Sequence, residues 1–324
     1  ENSNFTNFKI HTQYSICEGA IKIEDLAQYC KDNKIKAIGL SDSFNLCGAL
    51  EFSETISKVG TQPIIGTQIN FKYHETIGKL PIFAKTDQGY NNLVKLSSRS
   101  FLDSKNKEIP CCSIEDLLKN YKDVIVLSGG IDSLFFNLVK KNKNKELKTL
   151  SSELKKIFSD SFYFEIQRHN DEGEKLLENL FLDLSDHLKI PLIASQEVFY
   201  IDKNMHEAHD ALLCIGEKTY VDEKNRKKYS NQHYLRSFDE LIKVYSDIPE
   251  ALENNYNFPY RFNYKPKKSK PILPSLKIVN NLTEDDELVS QSNLGLKNRL
   301  EKFILKKNLS INPKDIKKKY EDRL

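Results

Sequence analysis

The feature that most constrains this chain is an alternation. Between residues 8 and 195, short apolar runs are separated by longer amphipathic stretches. The runs are FKI (8–10), AIGLS (37–41), PIIGTQI (63–69), LPIFA (80–84), VIVLS (124–128), FYFEI (162–166) and PLIAS (191–195). Helical patterns lie at 23–33, 46–59, 87–102, 133–158 and 174–188. In the last, Leu176, Leu177, Leu180, Leu184 and Leu188 recur at spacings of one, three and four residues, as one buried helix face requires. The alternation predicts a mostly parallel sheet with helices outside it. Seven strands in about 200 residues suit a closed barrel better than an open sheet, and periodicity alone does not separate the two.

After residue 215 the character changes. Residues 216–250 read as loop with a short helix at 237–245. Residues 259–277 hold four prolines and six basic residues without an acid, which reads as a linker. Thr283, followed by Glu284, Asp285 and Asp286, marks a helix start, because a side-chain oxygen and nearby acids satisfy the exposed N–H groups there. That helix is expected over 284–307, on Leu288, Leu296, Leu300, Phe303 and Ile304. The expected division is therefore 1–258, a linker at 259–282, and the incomplete start of a second domain at 283–324.

Hydrophobic residues make up 39% of the chain, enough for a core. No apolar run approaches the roughly 20 residues of a membrane helix, and no secretory leader pattern is visible. The six cysteines form no C-x-x-C pair and read as reduced cytoplasmic thiols; the neighbours Cys111 and Cys112 read as adjacent buried thiols or as a redox-active pair. A net charge of +3 is too small to argue nucleic-acid binding. The basic stretch at 259–277, with Tyr260 and Arg261, reads either as a solvated linker or as a contact for DNA phosphates. No Walker-type or dinucleotide-binding glycine motif is present. SGGIDS (128–133) reads as a strand-to-helix connection or a phosphate-binding turn. His206 and His209, three residues apart, read as helix contacts or as a shared metal pair.

Several stretches, in order along nearly the whole chain, resemble the polymerase-and-histidinol-phosphatase (PHP) domain of bacterial DNA polymerase III alpha subunits. They are IHTQYSICEGAIKIEDL (10–26), LSDSFNLCGALEF (40–52), QPIIGTQ (62–68), GYNNLVKLSS (89–98), EAHDALLCIG (207–216), YLRSFDEL (234–241), DIPEAL (247–252) and YEDRL (320–324). The resemblance implies an α/β fold, a distorted (β/α)7 barrel of the PHP type, followed by the start of a second, truncated polymerase domain. It places metal ligands of the active relatives at the C-terminal ends of the strands.

Position by position, the resemblance implies a dismantled metal site. Lys9 stands where the first histidine of an H-x-H triplet belongs, and His11 remains. Asp42 remains, but Ser43 replaces a histidine. Gln68 replaces an acid, Lys79 a histidine and Gly130 a cysteine. Glu165 and His169 are retained. Glu197 replaces an aspartate and Phe199 a histidine. A lysine ammonium about 4 Å from a divalent ion is repelled by roughly 8 kcal/mol at an effective dielectric near 20. Lys9 and Lys79 are therefore expected to neutralise Asp42, Glu165 or Glu197 in place of a metal, with no metal or cofactor in this piece. Mg2+ is expected only for the polymerase palm, whose acidic motif does not occur before residue 324.

The resemblance implies a part in DNA replication. The parent protein would be a DNA-directed DNA polymerase, a nucleotidyltransferase of the transferase class. The barrel would be an inactive scaffold that supports the polymerase core and docks the proofreading exonuclease subunit. DNA would be met through the whole protein, in the cytoplasm and away from membranes. The alternatives are a metal-dependent phosphoesterase or proofreading exonuclease of the PHP superfamily, and a metal-free DNA-binding module.

Overall fold

A computed structural model describes residues 5–104, 109–274, 283–304 and 312–323, except the side chains of 303 and 304. The chain forms two compact units, Glu1–Lys268 and Ser269–Leu324.

The first unit is built on β1 (Lys9–Ile10), β2 (Ala37–Ser43), β3 (Gln62–Tyr73), β4 (Thr76–Ala84), β5 (Cys112–Ser113), β6 (Val124–Leu127), β7 (Phe162–Ile166), β8 (Leu192–Ala194) and β9 (Glu197–Val198). Spatial order is β8-β7-β6-β4-β3-β2-β1-β9, with β5 added beside β3. Strands β8 and β9 are one kinked segment. It pairs with β7 on one side and β1 on the other, so the sheet closes into a distorted barrel of seven staves. All seven residues of β2 are buried, as expected of a parallel strand covered on both faces. Its middle runs so close to the segment before β1 that a Cβ on Gly39 would lie 2.4 Å from Phe8 O.

One stave departs from the expected parallel pattern. β4 is antiparallel to both β3 and β6. No helix joins β3 to β4; a tight turn at His74 and Glu75 does, with His74 in the left-handed region at φ 50°. The reversal brings the first half of β4, with Lys79, to the same end of the barrel as the C-terminal ends of the parallel strands.

The helices outside are α1 (Ile23–Asp32), α2 (Ala49–Lys58), α3 (Asp87–Leu102), α4 (Ile114–Lys119), α5 (Leu134–Lys140), α6 (Asn144–Phe158), α7 (Glu174–Leu188), α8 (His206–Glu217), α9 (Phe238–Tyr245) and α10 (Pro249–Asn257). α1 buries Ile23, Leu26, Ala27 and Cys30, the one-sided spacing of an amphipathic helix, with Glu24 and Asp25 in its first turn. The single helix expected over 133–158 is two, α5 and α6, broken where Asn142 takes a left-handed conformation at φ 55°.

The end of the barrel opposite the site is filled by Phe8, Ala37, Ile64, Phe83, Ile125, Leu127, Tyr163 and Ile193. Phe258 and Phe262 complete this cluster. The expected linker start at residue 259 thus falls inside packed structure. Gln62 Nε2 donates to the carbonyls of Pro259 (3.0 Å) and Phe262 (3.2 Å), and Ser53 Oγ to that of Pro266 (3.2 Å). These bonds hold the chain to the barrel almost to Lys268.

In the second unit, the capping box on Thr283 and Asp286 starts α11 (Glu284–Arg299), which passes into a wider π turn at Leu300–Ile304. Leu300 is buried and Leu288 is 65% exposed. Residues 305–307 of the expected helix lie outside the described residues, and a further helix spans Pro313–Glu321.

Candidate functional site

The ten residues singled out from the sequence, Lys9, His11, Asp42, Ser43, Gln68, Lys79, Glu165, His169, Glu197 and Phe199, converge at one end of the barrel. Hydrogen bonds and ion pairs arrange them in two tiers.

The lower tier centres on Lys9. Its ammonium is fully buried, 2.9 Å from Glu165 Oε1 and 3.5 Å from Glu197 Oε2. Burial alone would lower the lysine's pKa; the two carboxylates overcome it and raise the value. Glu197 is the mirror case. Burial would raise its carboxyl, but Lys9 and the His11 hydrogen bond hold it well below the usual range. Glu197 Oε1 also contacts His11 Nε2 (2.8 Å) and accepts from Gln68 Nε2 (2.7 Å). Glu165 Oε1 accepts from Gln167 Nε2 and Ser195 Oγ, both at 2.6 Å.

Asp42 does not pair with a lysine. Its oxygens accept from Thr12 N (2.7 Å), Ser15 Oγ (2.7 Å) and Thr12 Oγ1 (2.8 Å). Burial raises its pKa in spite of these bonds. Lys79 does not reach Asp42, Glu165 or Glu197 as an ion pair either. It pairs with Glu18 Oε1 at 2.9 Å and donates to Ser43 Oγ at 3.2 Å.

This upper tier was not foreseen. Ser43 Oγ donates to the other oxygen of Glu18. Lys227 lies 3.2 Å from Glu18 Oε1 and 2.9 Å from Asp132 Oδ2, which also accepts from Tyr229 OH at 2.7 Å. Burial opposes ionisation of Glu18, but Lys79 and Lys227 reverse it and hold the carboxyl far below its ordinary range. Glu18 and Asp132 sit in loops, and Lys227 in a polar run, EKNRKKY, that reads as solvated surface. Only tertiary folding brings them together. Asp132 and Ser133, the helix cap of α5, make SGGIDS a strand-to-helix connection with an acid facing the site.

The aromatic position is filled as completely as the charged ones. Phe199 is buried, with ring centroids 4.5 Å from His11, 4.8 Å from Tyr229 and 5.3 Å from His209. His209 and His206 do not share a ligand. His209 Nε2 bonds Glu18 O at 2.8 Å and His206 Nε2 bonds Tyr229 O at 3.2 Å. Burial lowers the His209 pKa to about 4, so it is the neutral ring that donates.

His169 is turned into the protein. Its Nε2 accepts the Glu197 N–H (3.1 Å), so Nδ1 carries the proton and donates to Glu174 Oε1 (2.7 Å). Its ring stacks on His233, centroids 4.0 Å apart and planes 6° from parallel. With Asp171 these two form the one group of potential metal ligands found among the described residues. The stack argues against coordination. Imidazole lone pairs lie in the ring plane, and parallel rings cannot both aim them at one ion about 2.1 Å away.

A family model, the PHP domain, matches residues 7–169. The chain belongs to the PHP domain family. It is 32% identical over 322 residues to DNA polymerase III subunit alpha of Rickettsia conorii, covering 99% of this chain and 27% of that protein. To the same subunit of Caulobacter vibrioides it is 32% identical over 313 residues, covering 94% of this chain and 27% of that one. The chain thus spans about a quarter of the length of the curated relatives it matches. A solved two-domain protein of Bacteroides vulgatus, containing a predicted PHP-like metal-dependent phosphoesterase, superposes with a TM-score of 0.38 at 11% identity, covering 74% of this chain and 62% of that one. That likeness is too slight to carry an argument. Among the described residues no helix of this PHP domain is long and apolar enough to cross a membrane.

The residues present do not fit a divalent ion at the Lys9 position. The ammonium already lies between the two carboxylates that would hold the ion, and Phe199 offers a ring face where an imidazole would offer a nitrogen.

Proposed function

We propose that this PHP domain works as a metal-free scaffold within a replicative DNA polymerase alpha subunit, in DNA replication in the cytoplasm. It supports the polymerase core and docks a separate proofreading exonuclease subunit. One observation carries the metal-free part: the fully buried Lys9 ammonium between Glu165 and Glu197. An internal cation lies between the two acids and offsets one of their two negative charges, so the barrel holds its shape without a metal supply. The polymerase setting is supported by the match of nearly the whole chain to alpha subunits. Any Mg2+ chemistry belongs to the polymerase palm, outside this sequence.

Two measurements test the reading. Elemental analysis of the purified protein is expected to give well under one zinc, manganese or iron per chain; two or three tightly held ions would return the phosphoesterase reading to first place. Gel filtration with the exonuclease subunit of the same cell, at micromolar concentration, is expected to give a complex. Its absence with both proteins folded would remove the docking role.

A further inference from the structure

The residues between α8 and α9 carry little regular secondary structure, yet they are fastened at several points. Arg226 makes a two-pronged pair with Asp210 of α8, both contacts at 2.6 Å. Ser230 N donates to Asp171 Oδ1 at 2.7 Å. His233 Nδ1 donates to Glu197 O at 2.9 Å, and Leu235 N to Tyr200 O at 2.9 Å. Between these anchors, Lys227 and Tyr229 turn inward. Glu18 follows β1 and Asp132 follows β6, staves on opposite sides of the seven-membered ring. One ammonium, Lys227 Nζ, touches both. Tyr229 lies on Phe199, and Phe199 lies on His11, so the inward face of this segment closes the stack above the lower tier.

We propose that residues 218–236 form a strap latched across the barrel mouth by Lys227, and that this strap is what keeps solvent and small molecules from Lys9, Glu165 and Glu197. The latch is one cation bridging two carboxylates from opposite sides of the mouth. It requires no metal, and it does not depend on which macromolecule the domain serves. Half-exposed bridges between lone charges contribute little, but here one ammonium lies between two acids, Glu18 and Asp132, and the Tyr229 hydroxyl donates to Asp132, so the charges act as a network rather than as a lone pair.

Hydrogen exchange followed by mass spectrometry, on the full chain, tests the latch. In Lys227→Met, amides of residues 219–235 are expected to exchange at least about tenfold faster, with α6 and the β3–β4 hairpin unchanged. No change in 219–235, or an equal rise in α6, would overturn the proposal. Asp132→Asn removes one arm and leaves the lysine in place, so it serves if Lys227→Met does not fold; it is expected to give the same local pattern, weaker. The double variant is expected to exchange no faster than Lys227→Met alone, and effects that multiply would count against a shared latch. Amine acetylation supplies the second readout. Lys9 is expected to stay unmodified in the unaltered protein and to react in either variant. A loosened strap with Lys9 still protected would show that something else shields the lower tier.

Discussion

The Lys9 ammonium lies 2.9 Å from Glu165 Oε1, and neither side chain exposes any surface. A buried pair of this kind is not by itself a large source of stability, since removing both ions from water costs nearly as much as their attraction returns. Breaking it is another matter.

Lys9→Met is expected to destabilise the barrel by about 3–5 kcal/mol, because Glu165 and Glu197 are left buried without a cation. Urea unfolding measures it. Adding Glu165→Gln to Lys9→Met is expected to recover part of the loss. If the double variant is weaker than the single by the full cost of a further defect, the pairing is not what holds the lower tier.

Lys9→His alone is not expected to create metal binding. The neighbouring positions would still offer Phe199, Ser43 and Gln68, and Lys79 would still sit on Glu18. Zinc titration by calorimetry checks this. The fivefold change Lys9→His, Ser43→His, Gln68→Glu, Lys79→His and Phe199→His supplies donors and removes the Lys9 and Lys79 ammoniums, and is the variant expected to bind.

Phe258→Ala and Phe262→Ala are each expected to cost about 3–5 kcal/mol, since both rings fill the closed end of the barrel. An exposed linker would show losses within about 0.5 kcal/mol. Subtilisin is correspondingly expected to nick first between Ser269 and Leu273, where Ile272 and Leu273 are 87% and 88% exposed. A first cut inside 258–268 would contradict the packing of that segment.

Stability is expected to fall as pH drops from about 6.5 towards 4. His209 keeps a folded pKa near 4 against an unfolded value near 6.5, so the unfolded chain takes up the extra proton in that window and acid favours it. The contribution is full above the unfolded value and lost through the folded one, at up to about 1 kcal/mol per pH unit. His209→Gln is expected to flatten that slope in thermal melts, and an unchanged slope would mean that His209 is not buried neutral.

Much of this was legible in the residues. The runs at 37–41, 63–69 and 162–166 became β2, β3 and β7 because continuous β-branched and aromatic stretches bounded by polar turns have few other uses. The convergence of Lys9 with Glu165 and Glu197 followed from placing each at a strand end. The reversal of β4 was not legible. A two-residue turn at His74 and Glu75 lacks the glycine that usually announces such hairpins. Glu18, Asp132, Lys227 and Tyr229 were missed for a different reason: each sits in a polar loop, and charge in a loop ordinarily means solvent. Phe258 and Phe262, four residues apart in a proline-rich stretch, were a signal available but outweighed by the basic residues around them.

The barrel also carries an order of assembly. β3 and β4 meet through a turn of two residues, a contact that forms on the microsecond scale. The seam between β1 and β9 joins parts of the chain far apart, as the 186 residues between His11 and Glu197 show, and the loop it closes is among the longest in the domain. Lys9, His11 and Glu197 all lie at that seam. Their environment is therefore expected to form only when the ring shuts, late in folding. Changes there are expected to appear mainly as faster unfolding, with the folding rate nearly untouched.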